Sequence, residues 1–122
     1  MFDEEFWDRN TGCPTHNFSL VVIYNPGPSP YQGKYMAVEE TRQLGWWLPG
    51  GFVENGDDFE STAHKETLEE AGIEIELKGI LRVESSVNKV SGRQRVIWFA
   101  YPKEVMDQGK TVADEESLSW SV

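Results

Sequence analysis

Apolar residues along the chain fall into short β-branched runs that are separated by glycine and proline, which is the pattern of strands joined by loops. The first run, FSLVVIY at residues 18–24, is closed by the loop NPGPSPYQG, which contains three prolines and two glycines. The run KYMAVEE at residues 34–40 follows this loop. We therefore expect the two runs to be neighbouring strands that pair with each other.

A second group of strands is predicted around and after a glycine-rich segment. WWLPGGFVE at residues 46–54 indicates a strand interrupted at residues 49–51, because proline cannot donate to a ladder and glycine tolerates unusual dihedral angles. Four further runs follow a helical stretch, namely IEIEL, ILRVESS, RQRVIWFAY and SLSWSV. Together these runs predict an α/β fold in which a mixed sheet dominates.

One helix is predicted between these strand groups, over residues 58–71. Asp57 and Glu60 have the spacing of a capping box, and Gly72 is a helix stop. At roughly 100° per residue, one broad side of this helix carries the residues that we expect to pack, which are Ala63, Thr67, Leu68 and Ala71.

Glu66, Glu69 and Glu70 lie beside that packed side of the helix. Two of them fall in the last turn, where neighbouring carboxylates and the helix dipole each cost a few tenths of a kcal/mol, about 0.3 per unfavourable charge. A solvated acidic face is the plain interpretation, since charged helix faces are common. A divalent metal site is the alternative, because Mg²⁺ prefers carboxylate oxygens and would convert the repulsion into coordination.

Composition limits the partners and the compartment. The 122 residues are enough for a single domain over residues 1–122, and the net charge of −10 disfavours a nucleic acid polymer or an anionic membrane as partner. Cys13 is the only cysteine, and acidic residues interrupt the first twenty positions where a signal peptide would be apolar. No apolar run approaches the roughly 20 residues of a membrane span. We therefore expect a cytoplasmic protein.

The segment GFVENGDDFESTAHKETLEEAGI at residues 51–73 resembles the Nudix box. That signature is a glycine, five residues, a glutamate, seven residues, and then R-E-U-x-E-E-x-G-U, where U is usually apolar. Gly51, the three glutamates, Gly72 and Ile73 match it. Asp57 stands at the first glutamate, Lys65 at the arginine and Thr67 at an apolar position. The first two departures keep the charge, although lysine cannot form the forked hydrogen bonds of arginine and Asp57 is also suited to an N-cap.

The resemblance implies an α/β/α sandwich with a mixed sheet. It also implies a pyrophosphohydrolase that cleaves nucleoside diphosphates linked to another group. Family domains usually close with a helix packed on the sheet, whereas this chain ends just after LSWSV, so we expect that helix to be missing through truncation or natural shortening. By resemblance, Mg²⁺ or Mn²⁺ would be held by Glu66, Glu69 and Glu70, with a backbone carbonyl from the turn of Gly50 and Gly51.

The general base is left open by the resemblance. It is a box glutamate in some members and an acidic residue of a late loop in others. The late segment ADEES at residues 113–117 supplies Glu116 as a candidate, beside Asp114 and Glu115, although a solvated acidic turn is the alternative.

Candidate substrate-binding residues are Trp47, Arg93 and Arg95. Trp46 and Trp47 would point to opposite faces of a strand, so we expect one of them in the core and the other towards the cleft, where it could stack on a base, although core burial is the more common role of a tryptophan. The two arginines, with Lys89, form a local basic patch that could clamp phosphates or could be a solvated hairpin tip.

The substrate expected by resemblance is a small phosphorylated molecule, and the oxidised guanine nucleoside diphosphate branch ranks first. A diphosphoinositol polyphosphate is the alternative substrate, and a non-catalytic nucleotide-binding domain is the alternative function. The oligomeric state stays open.

Overall fold

The computed structural model describes residues 14–39, 45–104 and 117–121, with the last segment described by its backbone alone. Strands precede and follow one helix, as the sequence predicts. In chain order the elements are β1 (Thr15–Ile23), β2 (Tyr35–Glu39), β3 (Trp46–Trp47), β4 (Gly50–Phe52), α1 (Phe59–Ala71), β5 (Ile75–Val87), β6 (Gly92–Pro102) and β7 (Ser117–Ser121).

The first sheet has the strand order β4-β1-β6-β5 and is mixed. β1 runs parallel to β6 and antiparallel to β4, while β5 and β6 form an antiparallel hairpin. The predicted strands IEIEL and ILRVESS are one strand, β5, which carries two register shifts relative to β6. The second sheet has the order β3-β2-β7 and is antiparallel.

The expected pairing of the first two strands is wrong. β2 pairs with β3 and β7, and its backbone pairing near β1, among the described residues, is an isolated bridge between Tyr35 and Tyr24, the residue after β1. Both edges of β1 are already occupied, by β4 and β6, so a strand following the intervening loop cannot add to it. The loop instead closes on itself through hydrogen bonds between Asn25 and the pair Gly33 and Lys34.

Helix α1 begins one residue later than predicted because Asp58, not Asp57, is its N-cap. The Asp58 carboxylate accepts from the Ser61 N–H at 2.7 Å, and the Ser61 hydroxyl accepts from the Asp58 N–H at 3.0 Å. Glu60 therefore has no part in the capping box. At the other end Gly72 has φ of 69° and donates to the Leu68 carbonyl, as a helix stop should.

α1 packs on the first sheet with small side chains. Thr62, Ala63, Thr67 and Ala71 are buried, whereas Leu68 is 51% exposed, which corrects its predicted place in the packed side. The hydrophobic core consists of Val21, Ile23, Met36, Ala63, Ala71, Ile73, Ile75 and Ala100.

Ser19 fastens the start of the helix to the sheet. Its hydroxyl donates to the Phe59 carbonyl at 2.8 Å and accepts from the Trp98 indole N–H at 2.9 Å, so β1, α1 and β6 meet at one buried atom. Among the described residues α1 is the one helix, and no helix there is long and apolar enough to cross a membrane.

Candidate active site

The glycine turn at the start of β4 makes a direct contact with the box helix. Gly50 donates its backbone N–H to the Glu70 carboxylate at 3.0 Å. A β-carbon at Gly50 would lie 2.2 Å from the Ser19 carbonyl oxygen, so only glycine allows β4 to approach β1 this closely. The turn and the last turn of α1 are thus held together by one charge-assisted hydrogen bond.

Gly51 provides the space for a second box glutamate. A β-carbon at this position would lie 2.8 Å from the Glu66 carboxyl carbon, which means that the carboxyl group of Glu66 occupies the volume beside the glycine. Gly51 pairs with Ser19, whose side chain faces α1, so this contact lies on the helix side of the sheet. Two of the three predicted metal ligands therefore meet at the glycine turn.

Glu69 is exposed, whereas Glu66 and Glu70 are half-buried. Within residues 14–39, 45–104 and 117–121, no three acidic, histidine or cysteine side chains converge closely enough to hold a metal ion. The donor set nevertheless fits a hard divalent cation, because three carboxylates and a glycine-turn carbonyl are oxygen ligands and a cradle at Gly51 accommodates one of them. Ligation by Glu66, Glu69, Glu70 and the Gly50 carbonyl stays a prediction.

Two of the three departures from the family signature, Asp57 and Lys65, pair with each other. The Lys65 ammonium lies 3.1 Å from the Asp57 carboxylate and 3.4 Å from that of Glu54. The hydrogen bond to Asp57 raises the pKa of Lys65 above its ordinary value, and the charge of Glu54 adds to this. Asp57 thus acts as an ion-pair partner for the helix and not as the N-cap that its side chain also suits.

The two candidate arginines differ in their surroundings. Arg95 forms an ion pair with Glu84 of the neighbouring strand, and Arg82 shares that carboxylate at 3.1 Å. Arg93 is exposed and lines a cavity of about 570 Å³ with His16, Phe18 and Phe52. Residues of the hairpin tip complete the cavity wall, namely Ser86, Val87, Asn88, Ser91 and Gly92.

An aromatic pair in this cavity was not predicted from the sequence. The rings of Phe18 and Phe52 have centroids 4.3 Å apart. Phe52 follows Gly51 directly in β4, so its side chain points to the opposite face of the sheet from Glu66. The cavity and the box glutamates therefore lie on the two faces of β4, which is at the end of the strand order in its sheet. The β1–β4 register brings these rings together, and local sequence patterns cannot predict that register.

The remaining candidate residues are the two tryptophans and the late acidic residues. Trp46 and Trp47 are 48% and 51% exposed, so the expectation that one of them is a core residue is wrong. A substrate contact by Trp47 stays a prediction. Asp114, Glu115, Glu116 and Cys13 lie outside the described residues.

Residues 15–122 match the NUDIX domain. The chain belongs to the Nudix family. A curated Nudix relative, nucleoside diphosphate-linked moiety X motif 6 of Xenopus laevis, is 36% identical over 58 residues. That match covers 46% of this chain and spans 27% of the relative's length.

Solved structures share the fold of this Nudix domain. The MutT protein of Methanosarcina mazei superposes with a TM-score of 0.64 at 21% identity, covering 89% of this chain and 78% of its own. A UDP-X diphosphatase superposes with a TM-score of 0.67 at 18% identity, covering 99% of this chain and 60% of its own. The predicted fold class, mixed α and β with a mixed sheet and a box helix, is confirmed as that of the Nudix hydrolases.

Proposed function

We propose that this Nudix domain hydrolyses a pyrophosphate bond of a nucleoside diphosphate-type substrate with the help of Mg²⁺ or Mn²⁺. The observation that carries the proposal is the meeting of two box glutamates at the glycine turn. The Glu70 carboxylate accepts from Gly50 N–H, and the Glu66 carboxyl occupies the space beside Gly51. Carboxylates gathered at a backbone turn are suited to hold a cation beside a polyphosphate, whereas a solvated acidic face requires no such contacts.

Each part of this site has a chemical task. A bound divalent cation would supply positive charge against the charge that builds on phosphate oxygens, and it would lower the pKa of a bound water. Glu66, Glu69 and Glu70 would hold that cation, and the contacts of Glu66 with Gly51 and of Glu70 with Gly50 fix where those two carboxylates lie. Glu69, which is exposed, and Glu116 are the candidates to accept the proton of the attacking water.

The cavity on the other face of β4 supports a substrate with a flat ring. Phe18 and Phe52 offer apolar ring surface, and Arg93 offers one cation at the wall of the cavity. A purine base has a flat ring that can stack on Phe18 and Phe52, whereas the inositol ring of a diphosphoinositol polyphosphate is not aromatic. An oxidised purine nucleotide therefore remains the first candidate. The substrate would reach the glutamates around the edge of β4.

Release of phosphate or pyrophosphate from nucleoside diphosphates, nucleoside triphosphates and inositol pyrophosphates, with and without Mg²⁺, tests this function. We expect Mg²⁺-dependent release from the nucleotides. Glu69→Gln and Glu70→Gln should each lower it by roughly a hundredfold or more, because each removes a charged ligand while keeping the side-chain size. Glu60→Gln removes a charge from the first turn of α1 and is the matched control.

Three outcomes would count against the proposal. If both glutamine variants keep more than about half of the wild-type rate, these glutamates are not ligands. Release from the inositol pyrophosphates alone would reverse the ranking of substrates. Nucleotide binding without any release, with or without Mg²⁺, would establish a binding domain in place of an enzyme.

A further inference from the structure

The turn that joins β4 to α1 brings two carboxylates to one lysine. Residues 54–57 form this turn, which is closed by a hydrogen bond of 3.0 Å from Asp57 N–H to the Glu54 carbonyl. Gly56 within it has φ of 90°, a left-handed conformation that favours glycine. Glu54 and Asp57 are the first and last residues of the turn. Their carboxylates converge on the Lys65 ammonium, at 3.4 Å and 3.1 Å.

These ion pairs are partly shielded from water. The Lys65 side chain is 36% exposed and that of Asp57 is 28% exposed, whereas that of Glu54 is 67% exposed. The ion pair with Asp57 is therefore less screened by water than the ion pair with Glu54, whose side chain is the more exposed of the two. Two neighbouring carboxylates would repel each other without a shared cation, so the lysine also stabilises the turn itself.

The geometry of an ammonium explains why a second carboxylate is present. A guanidinium can donate two parallel N–H groups to one carboxylate, whereas an ammonium directs its three N–H groups apart and donates one to each acceptor. Lys65 therefore makes one bond to Asp57 and has another donor for Glu54. We propose that Glu54 is a positioning residue that supplies, through Lys65, the second ion-pair contact between the β4–α1 turn and the helix.

This contact closes a ring that includes the candidate active site. From Gly51 the chain runs through β4 to Glu54, passes by the ion pair to Lys65, and continues to Glu66, whose carboxyl group returns to Gly51. A looser turn would weaken the link between the turn and the middle of α1 at Lys65, and would let the adjacent Glu66 move away from Gly51. Glu54 thus acts on the position of a ligand without contacting substrate, and this consequence for activity rests on the proposed function.

A double-mutant cycle tests the role of Glu54. Glu54→Gln is made in two backgrounds. The first is the natural chain, and the second carries Asp57→Glu with Lys65→Arg. In the second background the arginine can donate two parallel hydrogen bonds to the glutamate at position 57, so that Glu54 is no longer needed. Two quantities are measured in each chain, namely the hydrogen exchange of the backbone amide at position 57 without metal and the Kd for Mn²⁺. In the natural chain we expect Glu54→Gln to speed the exchange and to raise the Kd by roughly two- to fivefold each, the range of a partly exposed ion pair. In the second chain we expect no change.

The control variant is Glu60→Gln, which removes a negative charge near the start of α1 without touching Lys65. Equal effects of Glu54→Gln and Glu60→Gln would overturn the proposal, because they would show a general charge effect. Equal effects of Glu54→Gln in both chains would also overturn it. If the natural chain binds no Mn²⁺, the proposed function fails, while the exchange of Asp57 still decides the role of Glu54.

Discussion

Gly50 and Gly51 are adjacent in β4, yet an added methyl group would meet different obstacles at the two positions. At Gly50 it would meet the Ser19 carbonyl oxygen at 2.2 Å, which is backbone of the central strand. At Gly51 it would meet the carboxyl end of Glu66 at 2.8 Å, which is the far end of a flexible side chain. The first obstacle concerns the fold, and the second concerns the candidate active site.

Gly51→Ala should therefore damage activity more than stability. We expect the free energy of unfolding to change by less than about 1 kcal/mol, because Glu66 can rotate away, and turnover to fall by roughly tenfold or more, because a ligand is displaced. Gly50→Ala should cost about 2 kcal/mol or more through its backbone clash. Denaturant unfolding and phosphate release measure the two effects. Equal losses of stability in the two variants would contradict the geometry of the turn.

Thr67 presents a different case at the residue scale, since it stands at an apolar position of the family signature. Its side chain is fully buried, and its hydroxyl has no hydrogen-bond partner within the part of the chain that the structure describes. Thr67→Val keeps the shape and removes the hydroxyl, so it should stabilise the protein by about 1 kcal/mol. Urea unfolding measures this gain. A loss of stability would mean that the hydroxyl has a partner, and Thr67→Ser, which keeps the hydroxyl and removes a methyl group, is the comparison.

At the scale of the elements, the N-terminus of α1 depends on the ionisation of one side chain. The hydrogen bond from the Ser61 backbone N–H holds the pKa of Asp58 below its ordinary value of 3.8. A carboxylate with a lowered pKa in the folded state contributes stability above its unfolded pKa and loses it as the pH falls through the folded value. The contribution of this cap is therefore complete above about pH 4 to 5 and decreases in more acidic solution.

Asp58→Ala should lower the Tm at neutral pH by roughly 2–5 °C, through loss of the capping box. Asp58→Asn keeps an acceptor for Ser61 and should retain most of the Tm. The difference in Tm between the natural chain and Asp58→Asn should shrink as the pH is lowered below 4, because the carboxylate is then protonated. Thermal unfolding followed by circular dichroism from pH 2 to 7 measures these differences. A Tm difference between the natural chain and Asp58→Asn that stays constant over this pH range would show that the charge of Asp58 does not stabilise the helix.

The elements also show which parts of the fold the sequence can predict. The end of α1 at Gly72 depends on a single residue with a strong local preference, and it is found. The strand interruption predicted at residues 49–51 is found only in part, because the break falls at residues 48–49 and the two glycines belong to β4, where they pair with β1. The N-cap lies one residue later than predicted because Asp57 and Asp58 are both good caps, and the hydrogen bonds of Asp58 with Ser61 and the ion pair of Asp57 with Lys65 decide between them. The neighbours of β1 come from residues far along the chain, so local patterns could not exclude β2 as its partner.

The candidate active site also has parts that the sequence can predict and parts that it cannot. The box glutamates and glycines are recognisable because they follow one another at fixed spacing within a single segment. Phe18 and Phe52 are 34 positions apart, counted from their numbers, and meet only through strand register. The ion pair of Arg95 likewise depends on the β5–β6 register, which places Glu84 opposite it. Contacts within the box segment were predictable, whereas contacts between strands were not.

At the scale of the whole molecule, the net charge of −10 opposes the compact state, and the box glutamates add to this repulsion near the glycine turn. Any salt screens such repulsion, with a Debye length of about 10 Å at 0.1 M, so a rise of Tm in MgCl₂ is not by itself evidence for a site. A bound cation adds a second effect, because it stabilises the folded state by mass action. At ten times the Kd this effect is about 1.4 kcal/mol.

MgCl₂ or MnCl₂ at millimolar concentration should therefore raise the Tm by a few degrees, roughly 3–6 °C, beyond the rise produced by NaCl at the same ionic strength. Glu69→Gln should abolish most of this excess, while Glu60→Gln should keep it, because Glu60 lies in the first turn of α1, away from the glycine turn. Differential scanning fluorimetry over a full titration measures the excess. If divalent and monovalent salts raise the Tm equally at matched ionic strength, the three glutamates form an acidic surface and not a metal site.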